Sequence, residues 1–104
     1  MKIADTHFKR ALGLMFKKDG EMLFIFDKDV DYSVWTPFMN FSIDVFFLNE
    51  KLEVIDVKRS MDPWKVYKPS GAYRYFFESR DGKYSEKKVP DIVKKEIVKN
   101  NKRH

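Results

Sequence analysis

The chain has 104 residues, 43% of them hydrophobic and 36% charged, with no cysteine, no glutamine and a formal net charge of +5. That length fits a single domain spanning 1–104 that can bury a core without disulfide or metal, and the absence of cysteine excludes thiol nucleophiles, thiolate zinc sites and iron–sulfur clusters. The opening "MKIADTHFKR" holds no apolar run of the kind an export signal needs and no segment reads as a membrane span, so the expectation is a cytoplasmic protein with no membrane partner; the charge-rich, glutamine-free composition leans towards a thermophilic source.

"KIAD" reads as a short first strand. Thr6 is placed to cap a short N-terminal helix, along which Phe8, Ala11, Leu12, Met15 and Phe16 form one apolar stripe at steps of three and four. Gly13 weakens that helix, and "KKDGE" turns the chain. The period then changes to two. "MLFIF" (22–26) and "YSVW" (32–35) read as strands, and "FSIDVFFL" (41–48) puts Phe41, Ile43, Val45 and Phe47 on one face with Asp44, Phe46 and Leu48 on the other.

"NEKL" makes a turn and "EVIDVKR" (53–59) returns with Ile55 and Val57 inward. "MDPWKVYKPSG" has two prolines and a glycine and reads as a loop. "AYRYFFES" (72–79) alternates again, with Tyr73, Tyr75 and Phe77 opposite Arg74, Phe76 and Glu78. Pro90 suits a first helical turn, and Val89, Ile92, Val93 and Ile97 supply the stripe of a C-terminal amphipathic helix. Consecutive strands joined by short turns predict a mainly β (β-rich α+β) fold, a compact antiparallel β-sandwich or partly closed barrel. Its core spans about 3–79 and a basic helix and tail about 86–104.

The order of landmarks "GLMF" (13–16), a tryptophan, "IDVFFL" (43–48), "VIDV" (54–57), a Pro-Trp loop and "YKPSGAYRYFFE" (67–78) resembles the bacterial and archaeal family known as domain of unknown function 192. The resemblance covers roughly residues 3–79 and implies a jelly-roll-like sandwich with no established activity. The chain departs from the family pattern at Thr36, where a methionine is usual. It departs again in the Asn49–Leu52 turn, which lacks glycine, and in the Lys-rich helix that replaces a glycine-rich close.

Asp44 is the first candidate for a role, because a strand interior disfavours aspartate and a buried carboxylate must find donors. The structural reading, hydrogen bonds to a crossing segment near 61–71, is favoured over a proton-accepting or ligand-anchoring one. Trp35, Trp64 and Tyr67 lie in or beside proline-containing loops, where rings form ligand walls. The expected ligand site therefore comprises Trp35, Asp44, Trp64 and Tyr67, at one end of the sandwich, for a small molecule or short peptide. A hydrolase-like alternative relies on Asp44 with Tyr67 or Lys65, which is thin equipment, and no catalytic residue is assigned.

"DKDVD" (27–31) starts like a calcium loop but has Tyr32 and Phe38 where glycine and glutamate belong, so no metal site and no cofactor is expected. His7 and His104 have no ligand spacing. Residues 1–79 hold twelve basic and twelve acidic side chains, whereas 80–104 hold nine and four. The excess fits the solvated face of a helix better than a nucleic-acid interface, which stays as the alternative partner class. Either a monomer or a homodimer through an open strand edge is compatible with the sequence.

Overall fold

The computed structural model describes residues 2–4, 21–35 and 41–102. Among the described residues, seven strands and one helix follow in chain order: β1 (Lys2–Ala4), β2 (Met22–Val30), β3 (Val34–Trp35), β4 (Ile43–Leu48), β5 (Val54–Met61), β6 (Val66–Tyr67), β7 (Tyr73–Arg80) and α1 (Val89–Lys102). Five strands form one sheet in the order β1-β2-β7-β4-β5, and β3 pairs with β6 in a second. The expectation of a mainly antiparallel β fold with a C-terminal helix holds. The main sheet is open, with β1 and β5 at its edges, so the barrel alternative is not realised among the described strands. The N-terminal helix read around Thr6 and His7 lies outside the described residues, as do Thr36 and His104.

Both faces of the main sheet are covered, which explains why β4 is buried at all six positions and reads as a nearly continuous apolar run. On one face Leu23, Phe46, Leu48 and Phe77 meet Val89 and Val93 of α1, with Ile92 and Ile97 packed alongside. The stripe at steps of three and four is thus the face that α1 lays on the sheet. On the other face Met22, Phe24, Ile43, Val45, Phe47, Met61, Tyr73 and Phe76 form a second cluster, joined by Val34 of β3 and Tyr67 of β6. The small sheet therefore lies opposite the helix, giving three layers.

The described strands shift register in three places, one of them between Ile43 and Val45. The β4–β5 register shifts between Phe47 and Leu48, leaving Ile55 38% exposed while Val54 and Val57 join the helix-side cluster. A bulge inserts a residue and breaks the two-residue period, which is why Ile55 is not inward as alternation predicts. The β2–β7 register likewise shifts between Ile25 and Val30, and Tyr73 packs in a different cluster from Tyr75 and Phe77. β2 also runs on through Asp27 and Asp29 as strand, so part of "DKDVD" is strand rather than loop. Within the expected 61–71 loop, β6 pairs Val34 with Tyr67 and Trp35 with Val66. No described helix is long and apolar enough to cross a membrane.

Candidate functional site

β4 places Asp44 beside Ser79 of β7, on the helix-facing side, and Asp44 is 0% exposed. Its Oδ1 accepts from the Ser60 backbone N–H at 2.8 Å, and its Oδ2 accepts from the Gly82 N–H at 2.9 Å and from Arg59 Nη1 at 2.8 Å. Ser60 and Gly82 both occupy left-handed backbone positions, at φ 51° and 75°. One carboxylate thus fixes a bulged strand end and the turn leading to α1, two segments whose own ladders cannot hold these N–H groups. Arg59 continues to the Tyr84 carbonyl at 2.9 Å, with its guanidinium 5.0 Å from the centre of the Phe46 ring. The donors come from β5 and the turn after β7, not from the 61–71 segment.

A second carboxylate organises the opposite face. Asp56 is the Cα partner of Phe47, and its Oδ2 accepts from the Tyr67 hydroxyl at 2.8 Å and the Ser70 N–H at 2.9 Å. Burial pushes the Asp56 carboxyl up, but the hydrogen bonds from Ser70, Tyr67 and Val57 together outweigh it and hold the group below its usual 3.8. The same bond to Asp56, then burial and the nearby negative charge, raises the Tyr67 phenol above its usual 10.0. The Tyr67 ring packs 5.9 Å from that of Phe47. The segment after β6 is therefore pinned to the sheet by side-chain hydrogen bonds.

Before that pinned stretch the chain presents Trp64, 58% exposed, and Val66, 66% exposed. Trp64 has φ 64°, a conformation that a bulky L-residue adopts only at a steric cost of about 1–2 kcal/mol. Beyond Tyr67, a cleft of about 430 Å³ opens between residues 29–31 and 68–72. Lys68 Nζ reaches the Asp31 carbonyl oxygen at 3.4 Å across it, and Asp29 is held by Arg74 Nε at 3.1 Å.

Of the four residues expected to form one site, Trp35 and Tyr67 belong to the small sheet, and Trp64 lies in the loop that leads into it. Asp44 is on the other face of the main sheet, with its oxygens already engaged. The pairing of Asp44 with Tyr67 imagined for a hydrolase is not formed, since the phenol donates to Asp56.

Sequence reading missed Asp56, Ser70 and Lys68, whose partners lie outside their own strand or loop. It also passed over Glu78. This residue lies on the central strand of the main sheet and is 5% exposed. Burial raises its carboxyl from 4.5 to about 8, and it makes no hydrogen bond or ion pair with a described residue. One signal was available: Glu78 sits in phase with Phe76 on a strand whose other row is equally apolar. Among the described residues no group of three or more His, Cys, Asp or Glu is arranged to hold a metal ion. Glu21, 6% exposed, is closed off by an ion pair with Lys83 and by the Tyr84 hydroxyl at 3.1 Å. Lys87, Lys88, Lys94 and Lys95 are exposed, and Lys99 pairs with Glu96 at 3.6 Å.

The sequence model of domain of unknown function 192, described as uncharacterized ACR, matches residues 1–91. A UPF0127 protein of Pyrococcus horikoshii is 41% identical over 85 residues, which cover 79% of this chain and 73% of that one. Another, from Thermococcus sibiricus, is 40% identical over 86 residues, and there the match spans only 55% of the relative's length. Both relatives come from thermophilic archaea. A crystal structure of a Novosphingobium aromaticivorans protein of unknown function shares the fold with TM-score 0.70 and 20% identity, over 77% of this chain and 61% of that one.

Proposed function

The chain belongs to the domain of unknown function 192 family, which brings no activity with it, and from that premise we propose a small binding domain that receives a small molecule or short peptide on the 62–72 segment. The observation that carries this reading is Trp64. Its indole stays more than half exposed on a backbone conformation that works against it, and an exposed Val66 lies two residues further on. Apolar surface held out at an energetic cost is better explained by contact with a ligand than by folding.

In this reading Trp64 and Val66 cover the apolar part of the ligand. The cleft beyond Tyr67 takes the polar part, with Lys68 and Asp31 offering opposite charges. Its volume lies within the range of ordinary small-molecule sites. Tyr67 acts as a wall that Asp56 keeps in place, Trp35 lies beside Val66 across the small sheet, and Asp44 serves from behind by fixing the frame. The test is a thermal-shift and tryptophan-fluorescence screen with amino acids, dipeptides and small carboxylates. Compounds that shift the wild-type midpoint should lose most of that effect with Trp64→Ala or Lys68→Ala. Shifts that survive both changes would place binding elsewhere.

A further inference from the structure

We propose that Glu78 makes the packing between the main sheet and the layer opposite the helix proton-dependent: that face closes over a neutral carboxylic acid and loosens when the acid ionises.

The position is the least forgiving in the sheet. β7 is the central strand, and the Cα partners of Glu78 are Met22 on one side and Val45 on the other, 2% and 0% exposed. Directly paired residues share a face with Cβ atoms about 5 Å apart, so the carboxyl emerges between a thioether and an isopropyl group. The next residues along that face are Phe24, Phe47 and Phe76, with Phe24 and Phe76 ring centres 4.8 Å apart and those of Phe47 and Phe76 5.3 Å apart. No described group donates to Glu78.

Two lysines share the cross-sheet row of Glu78, each two strands away on an edge strand: Lys58, exposed, is the Cα partner of Val45, and Lys2 is that of Met22. The other charged and titratable groups described nearby are engaged elsewhere. From its pairing with Ile43, Arg80 belongs to the same face, and its guanidinium lies 3.9 Å from the centre of the Phe41 ring. Tyr67, from β6, is tied to Asp56. Glu21 is bound by Lys83 and Tyr84, Asp29 by Arg74, and Asp44 by donors on the opposite face. With no cation or N–H among the described residues bonded to the carboxyl, ionisation would set a charge against the cluster with only the residue's 5% exposure as contact with water. The upward displacement of its carboxyl to about 8, caused by burial alone, agrees with that geometry.

The sign follows from linkage. An unfolded chain releases this proton near 4.5, whereas the folded sheet keeps it until about 8. Between those limits each pH unit favours the open state about tenfold, and beyond the upper limit the effect levels off. The interior thus responds to pH across the neutral range, whether or not a ligand sits on the Trp64 segment.

The test uses the full chain. The Glu78 carboxyl is followed by carbon-13 NMR from pH 4 to 9, and amide hydrogen exchange reports opening at β2, β7 and β4. A carboxyl resonance that titrates near pH 8 is expected. Protection factors at Leu23, Phe46 and Phe77 should fall about tenfold per pH unit between 5 and 8, and Glu78→Gln should flatten that slope. A carboxyl titrating near 4.5, or the same slope in the Gln variant, would overturn the proposal. Because the NMR titration is read on the wild-type chain, the decision does not depend on the variant folding.

Discussion

Asp44 and Glu78 are two buried acids on neighbouring strands of one sheet, and they teach opposite lessons. Asp44 faces the helix with three donors on its two oxygens, while Glu78 faces the other layer between Met22 and Val45 with none among the described residues. Exposure does not separate them, at 0% and 5%. What separates them, among the described residues, is whether a backbone N–H or a cation arrives within reach of the carboxylate. The turn after β7 and the bulged end of β5 both arrive on the helix side, and each brings a backbone N–H that needs an acceptor. Asp44 is therefore a clasp, and Glu78 a liability that folding tolerates while it stays neutral.

The largest effects should come from making one chemical change at both sites. Carboxyl-to-amide replacement ought to act with opposite signs at pH 8. Glu78→Gln should stabilise by about 3 kcal/mol, because the proton burden of a group raised from 4.5 to about 8 approaches ~5 kcal/mol and a buried unpaired amide returns part of it. Asp44→Asn should destabilise by about 3 kcal/mol, through loss of a charge-assisted acceptor that serves Arg59, Ser60 and Gly82. Urea unfolding of the two variants beside wild type measures both. Equal signs would end the contrast.

A smaller effect sharpens it. Tyr67→Phe removes one of the bonds on Asp56 and should cost about 1 kcal/mol in the same assay. Because the folded Asp56 carboxyl lies below its usual 3.8, its contribution is present above that value and fades as pH falls through the folded value. This dependence runs opposite to that of Glu78, and Tyr67→Phe should weaken it. Smallest of all, Trp64→Gly should leave stability within about 1 kcal/mol of wild type, on the stabilising side, because glycine accepts φ 64° freely. A marked loss would mean that the indole holds the fold rather than faces a ligand.

Much of this architecture was legible residue by residue. The alternation in "FSIDVFFL" marked a strand, and Val89, Ile92, Val93 and Ile97 marked the face of α1 that packs on the sheet. The need of Asp44 for hydrogen bonds also followed from its place among apolar neighbours. Ile55 could not be placed, because a bulge moves the period by one residue and depends on the partner strand. The candidate ligand site was half legible: Trp64 stood out in its Pro-Trp loop, while the cleft needed β2 and the segment after β6 to come together.

The periods and the turn residues were fixed by the sequence, and with them a mainly β chain carrying a C-terminal amphipathic helix, since those signals are carried by neighbours within a few residues. Which acid finds donors among the described residues, and which does not, is settled by the tertiary structure alone. The donors to Asp44 come from Arg59, 15 positions away, and Gly82, 38 positions away. Hydrogen bonding is short-ranged in space but indifferent to chain separation, so no local pattern distinguishes the aspartate of β4 from the glutamate of β7.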